Sequence, residues 1–196
     1  MDLHVQGQPI NRRWIQNEGG SAPGHTPLPA AAWQALRASC CYPLPVNYPD
    51  DGRWMRLAVS LARQSPPSDT AFSVGAVIVD AAGAELSRGF SREGGDPMVH
   101  AEESALGKLS PGEPRLAGAT IYSTLEPCSQ RKSRPRTCTE LIIAAGLRRV
   151  VIAWREPALF VADAQGCELL SRAGLTVTEL PEFTQDAIAP NRHLVR

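Results

Sequence analysis

Apolar residues recur at Trp54, Leu57, Ala58, Leu61 and Ala62, the three-and-four spacing of a helix with one buried side, and Ser65-Pro66-Pro67 ends it. The pattern then shifts to strands. Phe72 to Val79 and Glu85 to Phe90 flank Ala81-Ala82-Gly83 and predict a hairpin. Asp96-Pro97 reads as an N-cap followed by proline at the first helical position, with Met98, Ala101, Ala105 and Leu109 as the apolar side of that helix. A strand over Ala119 to Leu125 precedes a second capped helix. There Thr137-Cys138-Thr139-Glu140 has the capping-box pattern, Leu141 to Ala145 is apolar, and Gly146 supplies the stop. Arg149 to Trp154 predicts a strand, Ala164 to Arg172 a helix and Leu175 to Leu180 a last strand. Glu182 to Val195 reads as a closing helix interrupted by Pro190. Strands alternating with helices imply a layered α/β domain. No internal repeat is present.

The first part of the chain is different. Residues 1–52 carry seven prolines and the pair Gly19-Gly20, which disfavours a continuous fold, and only Ala30 to Arg37 has helical propensity. This Pro/Gly-rich extension is read either as a mobile tail with one sticky helix or as a segment covering a site. The domain itself is placed at residues 53–182, with 183–196 as a C-terminal segment.

Composition narrows the function classes. Twenty basic and twenty acidic residues give zero formal charge, and 43% of the 196 residues are hydrophobic, which describes a globular enzyme without the basic footprint of a nucleic-acid binder. No apolar run reaches membrane-spanning length. Met1 to Gln6 lacks signal-peptide regions, so the cytoplasm is the expected location. Five cysteines at these spacings fit a reducing compartment better than a disulfide scaffold.

Candidate chemistry lies at His100-Ala101-Glu102, Pro127-Cys128 and Cys138. A catalytic zinc takes three protein ligands and keeps one position open, and imidazole with thiolates suits its borderline-soft character. His100, Cys128 and Cys138 supply that set. Glu102, two residues from His100, points to a different side of a helix, so the two are not twin ligands. It is left free to move protons, the division of labour of zinc base deaminases. Cys138 opens a helix, where unpaired N–H groups favour a thiolate. Each piece alone equally describes a buried thiol or a hydrogen-bonded core histidine; together with the strand and helix context they point to zinc. Between the cysteines, Arg131, Lys132, Arg134 and Arg136 form a basic loop, read either as substrate-binding groups for a phosphate or as a solvated turn.

Ser123 to Ser129, Cys138 to Gly146, Arg149 to Ala153, Val74 to Asp80 and the His100 motif together resemble the cytidine deaminase superfamily, in particular the deaminase domain of riboflavin-biosynthesis pyrimidine deaminases. The likeness extends over about residues 54–180. It implies a three-layer α/β/α fold with a five-stranded mixed sheet, His100, Cys128 and Cys138 as zinc ligands, Glu102 as proton shuttle, and a homo-oligomer, expected to be a dimer. The chain departs from the resembled pattern at two places. Thr70-Ala71-Phe72 stands where Pro-Asn-Pro is usual, and Ser129-Gln130-Arg131-Lys132 where Ser-His-His-Gly is common. Ala71 cannot make the substrate contact of an asparagine.

The expected activity is zinc-dependent hydrolytic removal of an exocyclic amino group from a small aminopyrimidine or related heterocycle, with a nucleotide as one form of it. A nucleic-acid-editing deaminase and a non-catalytic zinc protein are the alternatives. Only a short segment follows Leu180, so any reduction step of a riboflavin-like pathway is expected on another polypeptide.

Overall fold

The computed structural model describes residues 50–157, 159 and 164–195. The expected Ala30 to Arg37 helix and the Cys40-Cys41 pair lie outside them. The order of the main elements is α1 (Asp51–Ala62), β1 (Gly75–Val79), β2 (Glu85–Phe90), α2 (Ala101–Gly107), β3 (Thr120–Ser123), α3 (Cys138–Ala145), β4 (Arg149–Ile152), α4 (Gly166–Arg172), β5 (Thr176–Glu179) and α5 (Thr184–Ile188). They build one mixed sheet in the order β2-β1-β3-β4-β5. β1 runs antiparallel to β2 and β3, while β3, β4 and β5 are mutually parallel.

Alternation along the central strands makes the layers. Ala76, Ile78, Ile121, Val150 and Ile152 enter one core with Ala101, Ala105, Leu106, Ile142 and Leu170 from α2, α3 and α4. Val77, Val79, Tyr122 and Val151 face the other way, onto Trp54, Met55 and Ala58 of α1 and Phe183 and Ala187 near α5. Because both faces are covered, β1, β3 and β4 are buried throughout, and β1 reads as a continuous apolar run rather than an alternating one. The expected three-layer α/β/α architecture is present.

Two glycines let the helices approach. A Cβ on Gly75 would lie 2.0 Å from the Ala58 carbonyl oxygen, and one on Gly89 would lie 2.5 Å from the Ala105 nitrogen. Only a bare backbone fits at either place. On the α1 face, Asp51 takes a bidentate pair from Arg149 (2.6 and 2.7 Å) and a 2.8 Å hydrogen bond from the Tyr122 hydroxyl.

Several boundaries differ from the sequence expectation. β1 begins at Gly75 instead of Phe72, because side chains take the preceding backbone groups: Arg92 donates to the Phe72 carbonyl, and Asn191 both donates to the Ser73 carbonyl and accepts from its N–H. The helix expected from Asp96-Pro97 starts only at Ala101, with His100 as its N-cap. Asp96 instead closes a local turn, accepting from the Met98 N–H at 3.0 Å, which leaves Met98 outside the helix and exposed. The closing segment is a short α5 between two 3-10 turns, the second containing Pro190. Among the described residues no helix is long and apolar enough to cross a membrane.

Candidate metal centre and active site

Three backbone features deliver the donors to one point. His100 sits in extended conformation at the N-cap of α2. Cys128 lies in the turn beyond β3, where Thr139 Oγ1 and Thr139 N–H both donate to the Cys128 carbonyl (3.0 and 3.3 Å). Cys138 is the first residue of α3, whose Thr137 cap accepts from the Glu140 N–H at 3.2 Å while the Glu140 carboxylate accepts from the Thr137 N–H at 2.7 Å. The expected capping box and the Gly146 stop, with φ 75°, are both formed.

The result is a compact cluster. Cys128 Sγ and Cys138 Sγ lie 3.6 and 3.4 Å from His100 Nδ1, and all three donor atoms fall within 4.8 Å of one another. Tetrahedral zinc, with bonds near 2.3 Å to sulfur and 2.0–2.1 Å to nitrogen, needs S···N separations of roughly 3.5 Å. Both S···N separations therefore match those of the ion. The sulfurs are also charge-poised: the hydrogen bond with Cys138, together with His100, pulls the Cys128 thiol down to about 4, while Cys138, donating to Cys128 and fully buried, goes up. The Cys138 N–H, 3.4 Å from Cys128 Sγ, adds a helix-terminal donor.

Glu102 is 3% exposed and accepts a 2.7 Å hydrogen bond from Ser123 Oγ at the end of β3. It lies in the first turn of α2, two residues past the His100 cap, and its charge contributes to raising both Cys138 and Glu156.

The basic loop is less exposed than its composition suggests. Arg131 pairs with Glu103 at 2.7 Å, and Arg134 bridges Glu103 (3.1 Å) and Asp96 (2.5 Å). Arg136 reaches the Glu140 carbonyl at 3.4 Å, and Lys132 is exposed. Arg131 and Arg134 thus carry internal ion pairs, and the loop is not simply a solvated turn.

Two buried acids, Glu103 and Glu126, and the half-buried Glu156 were not singled out from sequence. Glu103, in the third position of α2, accepts from the His100 N–H, and a glutamate three residues after a cap was its available signal. Glu126 accepts from the N–H groups of Cys167 (2.9 Å) and Glu156 (3.2 Å), tying α4 and the segment after β4 to the cysteine turn. Glu156 is pushed up to about 8 by burial and by the neighbouring Cys128, Glu126 and Glu102 charges, and its buried Oε2 has no partner among the described residues. No local pattern marks it, because its environment comes from residues far away in sequence.

Residues 49–154 match the family model described as the cytidine and deoxycytidylate deaminase zinc-binding region. The chain belongs to this deaminase family. A relative, the diaminohydroxyphosphoribosylamino-pyrimidine deaminase of Schizosaccharomyces pombe, is 42% identical over 69% of this chain and 33% of its own length. Among solved structures, RibD of Acinetobacter baumannii superposes with TM-score 0.61 at 31% identity, over 74% of this chain and 38% of that one. The Rib2 deaminase of Aspergillus oryzae in complex with DARIPP gives 0.58 at 25% identity, over 74% of this chain and 96% of that one. The chain spans about a third of the length of the curated relatives it matches. Within this deaminase family the donor cluster is the zinc site, held by His100, Cys128 and Cys138.

Proposed function

We propose that this chain removes an exocyclic amino group from a small aminopyrimidine by zinc-dependent hydrolysis, with a phosphoribosylamino-pyrimidine of the riboflavin pathway as the substrate class. The observation that carries the reading is a buried carboxylate, Glu102, held by Ser123 beside a His/Cys/Cys donor set of zinc dimensions. The likeness to riboflavin-pathway deaminases supports the substrate class.

The chemistry zinc supplies when bound is Lewis acidity, which brings the pKa of a water toward ~7. Glu102 then does the proton work. It accepts a proton as the water oxygen adds to the amino-bearing carbon, and it returns that proton to the adjacent ring nitrogen. The proton of the newly added hydroxyl then passes through Glu102 to the amino group. The C–N bond breaks, ammonia leaves and a carbonyl remains. Ser123 holds one Glu102 oxygen, leaving the other for this transfer. Glu156, its carboxyl raised by burial and its Oε2 without a partner among the described residues, is the further polar contact we assign to the heterocycle. For an anionic substituent, Lys132 and the outer parts of Arg134 and Arg136 are the contacts the basic loop provides, with Arg131 turned inward. Cysteines used as thiolate ligands fit a reducing compartment, so we infer a cytoplasmic enzyme, and a homodimer is the assembly we infer.

Ammonia release measured on free bases, nucleosides, nucleotides, a diaminopyrimidine phosphoribosylamine and single-stranded oligonucleotides tests this. Turnover of the phosphoribosylamine in the presence of one zinc per chain is the expected result. Turnover confined to oligonucleotides would replace it with nucleic-acid editing, and zinc binding without any turnover would leave a structural zinc protein.

A further inference from the structure

We propose that Arg131 is a positioning residue of the metal centre: buried between the inter-cysteine loop and the start of α2, it holds Cys128 and Cys138 against His100. This rests on the zinc reading above. Nine residues, Ser129 to Thr137, separate the two sulfur ligands, and most of them are wholly or partly exposed. A loop of that kind does not by itself fix the distance between the residues it joins.

Arg131 provides the missing constraint. Its side chain is 2% exposed, as is that of Glu103, and the pair closes at 2.7 Å through Nη2. The same Nη2 donates to the Met98 carbonyl, and Nε donates to Ser133 Oγ at 3.0 Å, so one guanidinium joins the loop to itself and to the segment entering α2. Glu103 carries the connection further, because its Oε2 also accepts from the His100 N–H. The path from the loop to a metal ligand is therefore Arg131, Glu103, His100. Arg134 reinforces it from the outside through Glu103 Oε1 and Asp96.

The remaining nitrogen argues that this is not an arrangement selected for stability alone. Nη1 of Arg131 is buried without an acceptor among the described residues. Leaving a donor unsatisfied is unfavourable, and departures from full satisfaction concentrate where a site imposes its own demands. A planar fork spanning three acceptors is needed here, which a lysine cannot reproduce.

The test is zinc affinity of the full chain by competition with a chromogenic chelator, for wild type, Arg131→Met, Arg131→Lys and Arg149→Met. Arg131→Met is expected to weaken zinc binding about tenfold to a hundredfold, the range for residues that orient metal ligands, with Arg131→Lys in between. Arg149→Met breaks another buried ion pair, with Asp51 on the opposite face of the sheet, and is expected to lower Tm without changing zinc affinity. Arg131→Met binding zinc within about twofold of wild type overturns the proposal, as does equal weakening in Arg149→Met. Should Arg131→Met fail to fold by circular dichroism, Arg131→Lys decides: weakened zinc binding supports the role and wild-type binding overturns it. A wild-type chain that takes up no zinc overturns the metal reading itself, a distinguishable result.

Discussion

Ser123 Oγ donates a 2.7 Å hydrogen bond to Glu102 Oε1, joining the C-terminal end of β3 to the first turn of α2 where both are buried. That bond orients the one carboxylate that the proposed reaction uses for proton transfer. Glu102→Gln keeps the size and loses the base, and is expected to lower kcat by about 10²–10⁴-fold with zinc content unchanged. Ser123→Ala removes a hydrogen bond to a charged group, worth about 1.5–3 kcal/mol, so a kcat loss of roughly tenfold to a hundredfold is expected. Steady-state ammonia release with parallel elemental analysis checks both. Full activity in Glu102→Gln would remove it from the reaction.

The thiols give a test independent of turnover. In the metal-free chain Cys128 is held as thiolate, down to about 4, whereas burial and the Glu126 charge push Cys167 up to about 12. Iodoacetamide at neutral pH is therefore expected to label Cys128 ahead of Cys167 once a chelator has been added, and neither while zinc is bound. Peptide mapping by mass spectrometry reads the sites. Cys128→Ser should also lose zinc by elemental analysis; one equivalent retained in that variant would refute Cys128 as a ligand.

Glu156 makes stability depend on pH in the direction opposite to that of a salt-bridged acid. Burial, with the Cys128, Glu126 and Glu102 charges, raises its carboxyl from 4.5 to about 8. Between those values the native chain holds a proton that the unfolded chain releases, so stability falls as pH rises through this window. Urea midpoints of the metal-free protein at pH 5 and pH 8, compared with Glu156→Gln, measure the effect. The wild type should lose more stability than the variant over that interval. Equal losses would mean that Glu156 ionises freely.

Much of the centre was legible because its signals are local. Thr137 to Glu140 caps α3, Gly146 ends it, and the β3 run delivers Cys128, each within a few residues. The layered α/β class followed from alternating elements, and the five-stranded mixed sheet from the resemblance, while the strand order came only with the structure. What escaped were relations across long separations. Arg131 meets Glu103, and Glu126 fixes both Glu156 and Cys167, through contacts that no period of 2 or 3.6 encodes. The misplaced start of α2 has a related cause. Asp96 bonds its own neighbour Met98 and pairs with Arg134, so the cap was already engaged in a turn.

Gly166 offers the last test, because it places α4 against the cysteine turn. A Cβ there would lie 2.1 Å from the Pro127 carbonyl oxygen and 3.1 Å from the Glu126 side chain. Neither can retreat easily. Pro127 precedes a zinc ligand, and Glu126 is anchored by the N–H groups of Cys167 and Glu156. Gly166→Ala must therefore move α4 outward, at an overpacking cost of about 1–3 kcal/mol, despite alanine's better helix propensity. The displacement should also disturb Cys128, so zinc affinity should fall along with the urea midpoint. Ser171→Ala, later on the same helix, should leave both nearly unchanged. If Gly166→Ala matched wild type in stability and zinc affinity, the close packing of α4 on the metal turn would be wrong.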